Sequence, residues 1–288
     1  MPRSSDNGWS EPLVRKLIER HGGKRPEDVL EAHAERLLRE SEQDRLPVDV
    51  DLIASVLGIR RRVAPFGFAG RIYAEESGQL VMDLNAQDGE PRRRFTGAHE
   101  LMHVAFPGFK REARYRADTS PGANPRNREE EYLCDHGAAA LLMPRQLVAE
   151  HYRTDDGLDA VEALANDAEV SLEAAGNRLV SLSPTPAAFL VLTMNHKPAD
   201  TPALRRGEDV PERLRMRYGT TSNLDLYLPR FKSAREGSAL CRAWEGWSTE
   251  RGLEALPGGE RAGAFRVEAK AYGADENRRV LAIARPAA

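Results

Sequence analysis

The sequence between Arg94 and Phe106 reads RFTGAHELMHVAF, and it places His99 and His103 four residues apart. On an α-helix two such residues lie on nearly the same face, about 6 Å apart along the axis, so both imidazoles can point at one metal ion. Glu100 lies about 100° further round the helix, where its carboxylate can accept a proton from a water on that ion. The spacing therefore predicts a helical metal site of the H-E-x-x-H type.

The residues around this motif are mostly apolar, which favours a buried helix. They are Ala98, Leu101, Met102, Val104, Ala105 and Phe106. Two histidines buried on one face need hydrogen-bond partners or a metal ion. Because imidazole is a ligand that suits zinc, Zn²⁺ is the expected cofactor, with Mn²⁺ or another divalent metal as the alternative in the cell.

A second segment, EEEYLCDHGAAALLMP, offers carboxylates for a third ligand. A catalytic zinc site usually has three protein ligands and one position open to water. Glu131 and Asp135 are spaced i and i+4 and share a helix face, so Glu131 is the candidate ligand and Asp135 the candidate acceptor for the other N–H of a ligating histidine. We interpret Glu129 and Glu130 as a solvated acidic start of the helix, which the helix dipole favours.

Length and composition describe a globular protein of about two domains. The chain has 288 residues, of which 41% are apolar and 30% charged, and its formal net charge of −3 argues against a surface that binds nucleic acid throughout. Its start lacks the apolar core of a signal peptide, and its apolar runs are too short to span a bilayer. Two cysteines cannot form a disulfide framework, so we expect a cytoplasmic protein without membrane contact.

The two segments RFTGAHELMH and EEEYLCDHGAAALLMP together resemble the ImmA/IrrE family of metallopeptidases. The resemblance extends over about residues 26–184, through PVDVDLIASVLGI upstream and LANDAEVSLEAAGNRL downstream. It implies that His99, His103 and Glu131 are metal ligands and that Glu100 is the catalytic base. It also implies a zinc-dependent endopeptidase that cleaves a protein, a helix-turn-helix transcriptional repressor, in a stress-response or mobile-element switch.

Three residues depart from the family pattern near the predicted site. Met102 stands where the family usually has Gly, Gly137 where it often has Phe, and Cys134 replaces the common Ala. None of these departures removes a ligand. Met102 lies next to the site, so it can alter packing or access there.

The expected fold class is α+β, in four parts. Residues 1–25 are predicted to be a flexible N-terminal arm, and 26–152 a mainly helical, zincin-like metallopeptidase domain with a small β-sheet. Residues 153–186 are predicted to form a helical, helix-turn-helix-like segment. A C-terminal α+β domain is expected over 187–288, and because related proteins can carry a GAF-like sensory domain there, that is one interpretation of it.

Local patterns predict the elements of the first 150 residues. Helices are expected at 26–41, 48–59, 91–105 and 127–152, the last one broken at Pro144, a hairpin at 70–85 and a long loop at 107–126. The strand QLVMDLN at 79–85 is either an edge strand that pairs with an extended substrate or an ordinary internal strand.

Two other functions compete with proteolysis. The segment LANDAEVSLEAAGNRL has the rough pattern of a helix-turn-helix, which would make the chain a DNA-binding regulator. Only Arg178 is positive in its second helix, so direct nucleic-acid binding is not expected. The chain could instead hold a metal as a sensor without cleaving peptides, but such a site has no need of Glu100.

Overall fold

A computed structural model describes residues 8–109, 128–151, 157–259 and 262–287, together with the backbone of 114–116. Helices and strands occur in both halves, so the fold is α+β as expected. The remaining parts of the predicted arm and of the predicted loop lie outside the described residues.

The chain divides into two compact units. The first comprises Met1–Ala149 and Asn166–Val170, and the second comprises Glu150–Ala165 and Ser171–Ala288. Residues from the segment 153–186 therefore contribute to both units. The four-part domain organisation stays a prediction.

The first unit is mainly helical. Its helices are α1 (Pro12–Arg20), α2 (Pro26–Glu40), α3 (Val50–Val56), α4 (Glu90–His103), α5 (Arg128–Leu142) and α6 (Arg145–Val148), and a 3₁₀ turn (Ala149–His151) follows α6. A proline occupies the first turn of α1, α2 and α4, where its missing N–H costs nothing. The Asp49 side chain caps α3 by accepting a hydrogen bond of 2.9 Å from the Leu52 N–H.

A four-stranded sheet completes the first unit. Its strands are β1 (Arg60–Ala64), β2 (Gly70–Ala74), β3 (Leu80–Asn85) and β4 (Arg114–Arg116), in the order β1-β3-β2-β4. Strand β3 pairs in parallel with β1 and antiparallel with β2, and the predicted hairpin turns at Gly78. Because both sides of β3 are paired, the edge-strand interpretation of this segment was wrong and the internal-strand alternative is correct.

The second half of helix α4 is buried on all sides, since every residue from Thr96 to His103 is buried. Leu101 and Met102 are fully buried. A β-carbon added at Gly97 would lie 3.2 Å from Val50 of α3 and 3.5 Å from Leu84 of β3, so a small residue lets α4 approach both elements closely. This packing holds the H-E-x-x-H segment inside the unit.

The described part of the N-terminal segment differs from the predicted flexible arm. Residues 12–20 form α1, and Val14 and Leu17 of this helix are fully buried. The described part of the predicted flexible arm is therefore packed onto the first unit. Within the predicted loop 107–126, residues 114–116 form the strand β4.

The second unit contains a five-stranded antiparallel sheet. Its helices are α7 (Leu158–Ala168), α8 (Leu172–Ser181), α9 (Thr201–Arg205) and α10 (Ala239–Glu245), and its strands are β5 (Ala187–Asn195), β6 (Arg213–Ser222), β7 (Glu250–Glu254), β8 (Phe265–Tyr272) and β9 (Arg279–Pro286). The strand order is β6-β5-β9-β8-β7. The end of α7 belongs to the first unit. The GAF-like interpretation of 187–288 stays a prediction.

Helix α8 is the helix that would read DNA in the helix-turn-helix interpretation. Its predicted cap is present, since the Ser171 hydroxyl accepts a hydrogen bond from the Ala174 N–H. Its polar side chains are engaged by the sheet of the second unit: Tyr218 Oη donates to Glu173 at 2.7 Å. Arg178 is 3% exposed. The helix therefore offers no basic reading surface, and DNA binding is not the favoured function.

Candidate metal centre

Helix α4 carries the two predicted histidine ligands side by side. The ring centroids of His99 and His103 are 5.0 Å apart, and the rings are inclined at 70° to one another. Each residue is 1% exposed. The spacing of four residues thus brings two buried imidazoles together, as the helical periodicity predicted.

Helix α5 places the predicted third ligand against both rings. Glu131 Oε2 lies 3.2 Å from His99 Nε2, and Glu131 Oε1 lies 3.8 Å from His103 Nε2. Within the described residues, neither Nε2 atom has a hydrogen bond of good geometry, although both are buried. Three side chains of the kinds that bind zinc therefore face one another, and among the residues described the two imidazole Nε2 atoms lack a hydrogen bond that satisfies them.

The opposite nitrogen of each ring is held by a carboxylate. His99 Nδ1 donates to Asp135 Oδ1 at 2.8 Å, and His103 Nδ1 donates to Glu130 Oε1 at 2.9 Å. A carboxylate can only accept, so these bonds place the proton of each neutral ring on Nδ1 and leave the Nε2 lone pair turned towards Glu131. Carboxylates that orient ligating histidines in this way are usual around protein metal sites.

Glu130 corrects the sequence interpretation of the acidic helix start. We expected it to be solvated, but it is 1% exposed and holds His103. A signal for this was present, because Glu130 falls on the same face of α5 as Cys134 and Gly137, four and seven residues further on, and both of those are buried. A carboxylate at an apolar position of a helix needs a buried partner.

Cys134 also lies beside the histidines. It is fully buried, and its Sγ is 3.4 Å from His103 Nδ1. Burial, together with the nearby carboxylates such as Glu130, raises the pKa of this thiol well above its ordinary value, so the sulfur stays protonated without a metal. His99, His103 and Cys134 form a buried group that could hold a metal ion. The sulfur, however, lies next to the Nδ1 atom that already donates to Glu130.

The carboxylates around His99 favour a positive charge on its ring. Burial alone would lower the pKa of His99, but its hydrogen bond to Asp135 and the nearby carboxylates of Glu131 and Glu100 raise that pKa to about 9. Burial alone would raise the pKa of Glu131, but the neighbouring histidines outweigh the effect of burial and leave this pKa below its ordinary value. The site is therefore suited to a cation, which can be a proton or a metal ion.

Glu100 lies on the side of α4 that faces the sheet. It is fully buried. A β-carbon added at Gly70 of β2 would be 3.4 Å from Glu100 Oε1 and 2.3 Å from Thr96 Cγ2. The absent side chain at Gly70 thus lets the start of β2 pass close to the carboxylate.

Part of the chain is similar to a known family of proteins. Residues 55–180 match the sequence profile of peptidase family M78, described as the IrrE N-terminal-like domain. This part of the chain is therefore similar to the ImmA/IrrE family. The radiation response metalloprotease IrrE of Deinococcus radiodurans is 29% identical over 155 residues, which are 53% of this chain and 46% of that protein. The chain thus spans about half the length of this ImmA/IrrE relative.

The fold has a similar solved structure. A Mycobacterium tuberculosis transcriptional regulator superposes with a TM-score of 0.57 and 16% sequence identity, over 94% of this chain and 79% of that one. The similarity to a metallopeptidase family and the buried group of His99, His103 and Cys134 together suggest a metal cofactor. In the described part of the chain, no helix combines the length and the apolar character needed to cross a lipid bilayer.

Proposed function

We propose that the chain is a zinc-dependent endopeptidase in which His99, His103 and Glu131 bind the metal. One observation carries this proposal: the Nε2 atoms of both histidines face the Glu131 carboxylate at 3.2 and 3.8 Å while carboxylates hold both Nδ1 atoms. Two imidazoles and one carboxylate are a ligand set known from catalytic zinc sites. Mn²⁺ or another divalent ion is the alternative occupant.

The Nδ1 partners are proposed to orient these ligands. Asp135 would hold His99, and Glu130 would hold His103, so that each ring presents its Nε2 lone pair without rotating. Cys134 is not proposed as a ligand, because it lies beside the Nδ1 atom of His103 that Glu130 already occupies.

Glu100 is the proposed general base. When bound, a divalent metal would lower the pKa of a water molecule and polarise the carbonyl of the scissile peptide bond. A Glu100 carboxylate oxygen would accept the proton that this water loses and would then deliver it to the amide nitrogen that leaves. The burial of Glu100 keeps bulk water from competing for that proton.

The substrate is proposed to be a protein, and specifically a helix-turn-helix transcriptional repressor. Support comes from the resemblance to the ImmA/IrrE family and from the match to a relative named for its radiation response. Cleavage of the repressor would switch on stress-response or mobile-element genes. The antiparallel sheet of the second unit supports a GAF-like sensory domain as the part that would receive a signal.

Incubation with purified candidate repressors tests the proposal. We expect cleavage by the wild-type chain with Zn²⁺ or Mn²⁺ and none after removal of metal with a chelator. Glu100→Gln should lose cleavage by a factor of about 10²–10⁴, the usual contribution of a general base, and should still bind one metal ion per chain. The matched control is Glu90→Gln, the same change at an exposed position of α4, which should cleave as wild type.

Two results would reject this function. Cleavage that persists in Glu100→Gln would remove the proposed base. Metal binding that is unchanged in both His103→Ala and Glu131→Ala would remove the proposed ligand set, whatever the cleavage result.

A further inference from the structure

The first turn of α5 is capped by a residue from near the start of the chain. The Glu11 carboxylate accepts hydrogen bonds from two successive N–H groups of α5, from Glu129 at 2.9 Å and from Glu130 at 3.1 Å. The first N–H groups of a helix have no partner within the helix, and a carboxylate at this end is also favoured by the helix dipole. Glu11 supplies both kinds of stabilisation.

The capping is reciprocal. The Glu129 carboxylate accepts hydrogen bonds from the start of α1: from Ser10 N at 2.8 Å, from Ser10 Oγ at 2.8 Å and from Glu11 N at 2.9 Å. The ring of Trp9 lies against that of Tyr132, with centroids 6.1 Å apart. Each helix therefore provides the carboxylate that caps the other, and the segment from Trp9 to Glu11 is fixed onto the beginning of α5.

The turn that is capped is also the turn that carries the metal-site carboxylates. Glu130, whose N–H is bound by Glu11, holds His103 through its side chain. Glu131, the next residue, faces the Nε2 atoms of both histidines. Fraying of this single turn would displace a proposed ligand and the group that orients another ligand.

We propose that Glu11 is a positioning residue for the metal centre: by capping α5, it fixes Glu130 and Glu131 where His99 and His103 need them. This inference rests on the proposed metal site. Groups that orient metal ligands typically change the affinity for the metal about 10–100-fold when they are removed. Because Glu11 acts through the backbone of α5, we expect its loss to weaken zinc affinity by about tenfold, the lower end of that range.

The test is a zinc titration of the full-length chain in competition with a chromophoric chelator. The variants are Glu11→Ala, which removes both acceptor oxygens, and Glu11→Gln, which keeps one. The matched control is Glu19→Gln, an equal loss of charge at an exposed position of the same helix. The thermal midpoint of each metal-free protein is measured alongside, because a residue with only a structural role would change that midpoint and leave the zinc dissociation constant unaltered.

The expected result is a graded loss of affinity. Glu11→Ala should bind zinc about tenfold more weakly than wild type, Glu11→Gln should lie between them, and Glu19→Gln should match wild type. The inference is overturned if folded Glu11→Ala binds zinc as tightly as wild type. If Glu11→Ala does not fold, wild-type affinity in folded Glu11→Gln overturns it equally. Absence of zinc binding by the wild-type chain would instead reject the metal site itself, and with it this inference.

Discussion

Gly137 on α5 leaves the space that the side chain of Met102 on α4 occupies. A β-carbon built at Gly137 would lie 2.6 Å from Met102 Sδ and 2.7 Å from Met102 Cγ, well inside contact distance. These are two of the positions at which the chain departs from the family pattern, which usually has Gly at the position of Met102 and often Phe at the position of Gly137. The two departures therefore compensate for each other: at the interface between α4 and α5, the Met102 side chain fills the volume that Gly137 leaves empty.

Gly137→Ala should consequently destabilise the chain, although alanine is the better helix former. The helix propensity of alanine favours the variant by about 1 kcal/mol, whereas overpacking a core costs about 1–3 kcal/mol and here meets a fully buried side chain. Combining it with Met102→Gly should relieve the clash, so the effects of the two substitutions on the free energy of unfolding should not add. Urea unfolding of the metal-free proteins measures this coupling.

Gly97→Ala on α4 provides the comparison. Its nearest neighbour would be Val50 Cγ1 at 3.2 Å, a tight contact but not an overlap, so its cost should be smaller than that of Gly137→Ala. Additive effects of Gly137→Ala and Met102→Gly would contradict this compensation of volume.

The parts of the site that depend on helical periodicity could be predicted from sequence. His99 and His103 meet because they are four residues apart on α4, and Glu131 and Asp135 reach them because they share a face of α5. Which residues share a face is a local property that one helix fixes, whereas the packing of α5 against α4 brings the two faces together.

The parts of the site and of the fold that depend on contacts between distant residues could not be predicted from sequence. The face that Glu130 shares with Cys134 and Gly137 indicates burial, but its partner His103 lies on another helix. The contact between Glu11 and Glu129 joins residues 118 positions apart. Strand β3 is internal only because β1 and β2 both pair with it, and no pattern within QLVMDLN distinguishes that from an edge.

The two carboxylates that hold the histidines should differ in their importance for metal binding. Glu130 is buried with His103, whereas the Asp135 side chain is 52% exposed, so water can replace it. Glu130→Ala should therefore weaken zinc binding about 10–100-fold, and Asp135→Ala should weaken it less. Chelator competition measures both, with Glu76→Ala as an exposed control. A greater loss in Asp135→Ala would mean that burial does not decide the ranking.

Asp83 should contribute a stability that depends on pH. It is fully buried in β3 between two arginines, Arg62 at 2.6 Å and Arg71 at 2.8 Å. Burial raises the pKa of Asp83, but the hydrogen bonds and charges of the two arginines outweigh it and hold that pKa below its ordinary value. The folded pKa is thus lower than the unfolded one, so the contribution is complete above about pH 4 and is lost as the pH falls through the folded value.

Asp83→Asn should accordingly lower the free energy of unfolding by about 1–3 kcal/mol at pH 7, and the difference from wild type should shrink in acid. Urea unfolding of metal-free protein between about pH 3 and pH 7 measures it. Asp51→Asn is the control, because the Asp51 side chain is 54% exposed and its pair with Arg61 should contribute about 0–1 kcal/mol. A difference that stays constant with pH would show that the Asp83 charge is not responsible.

Gly70→Ala should separate the proposed base from the metal ligands. The added β-carbon would overlap the buried Thr96 Cγ2 at 2.3 Å and lie 3.4 Å from Glu100 Oε1, so the side chains of Thr96 and Glu100 must move. His99 and His103 lie on the same helix, but their rings are also held by Asp135 and Glu130 of α5. Because a displacement of about 1 Å can cost about 10²-fold in rate, we expect kcat for repressor cleavage to fall by about 10–100-fold while zinc affinity changes little.

A second substitution tests the cause of that fall. Thr96→Ser removes the methyl group that the new β-carbon would meet, so Gly70→Ala combined with Thr96→Ser should recover most of the lost kcat, and Thr96→Ser alone should cleave nearly as wild type. Equal rates for Gly70→Ala and wild type would show that the start of β2 does not constrain Glu100. A parallel loss of zinc affinity in Gly70→Ala would show that the base and the ligands respond to this strand together.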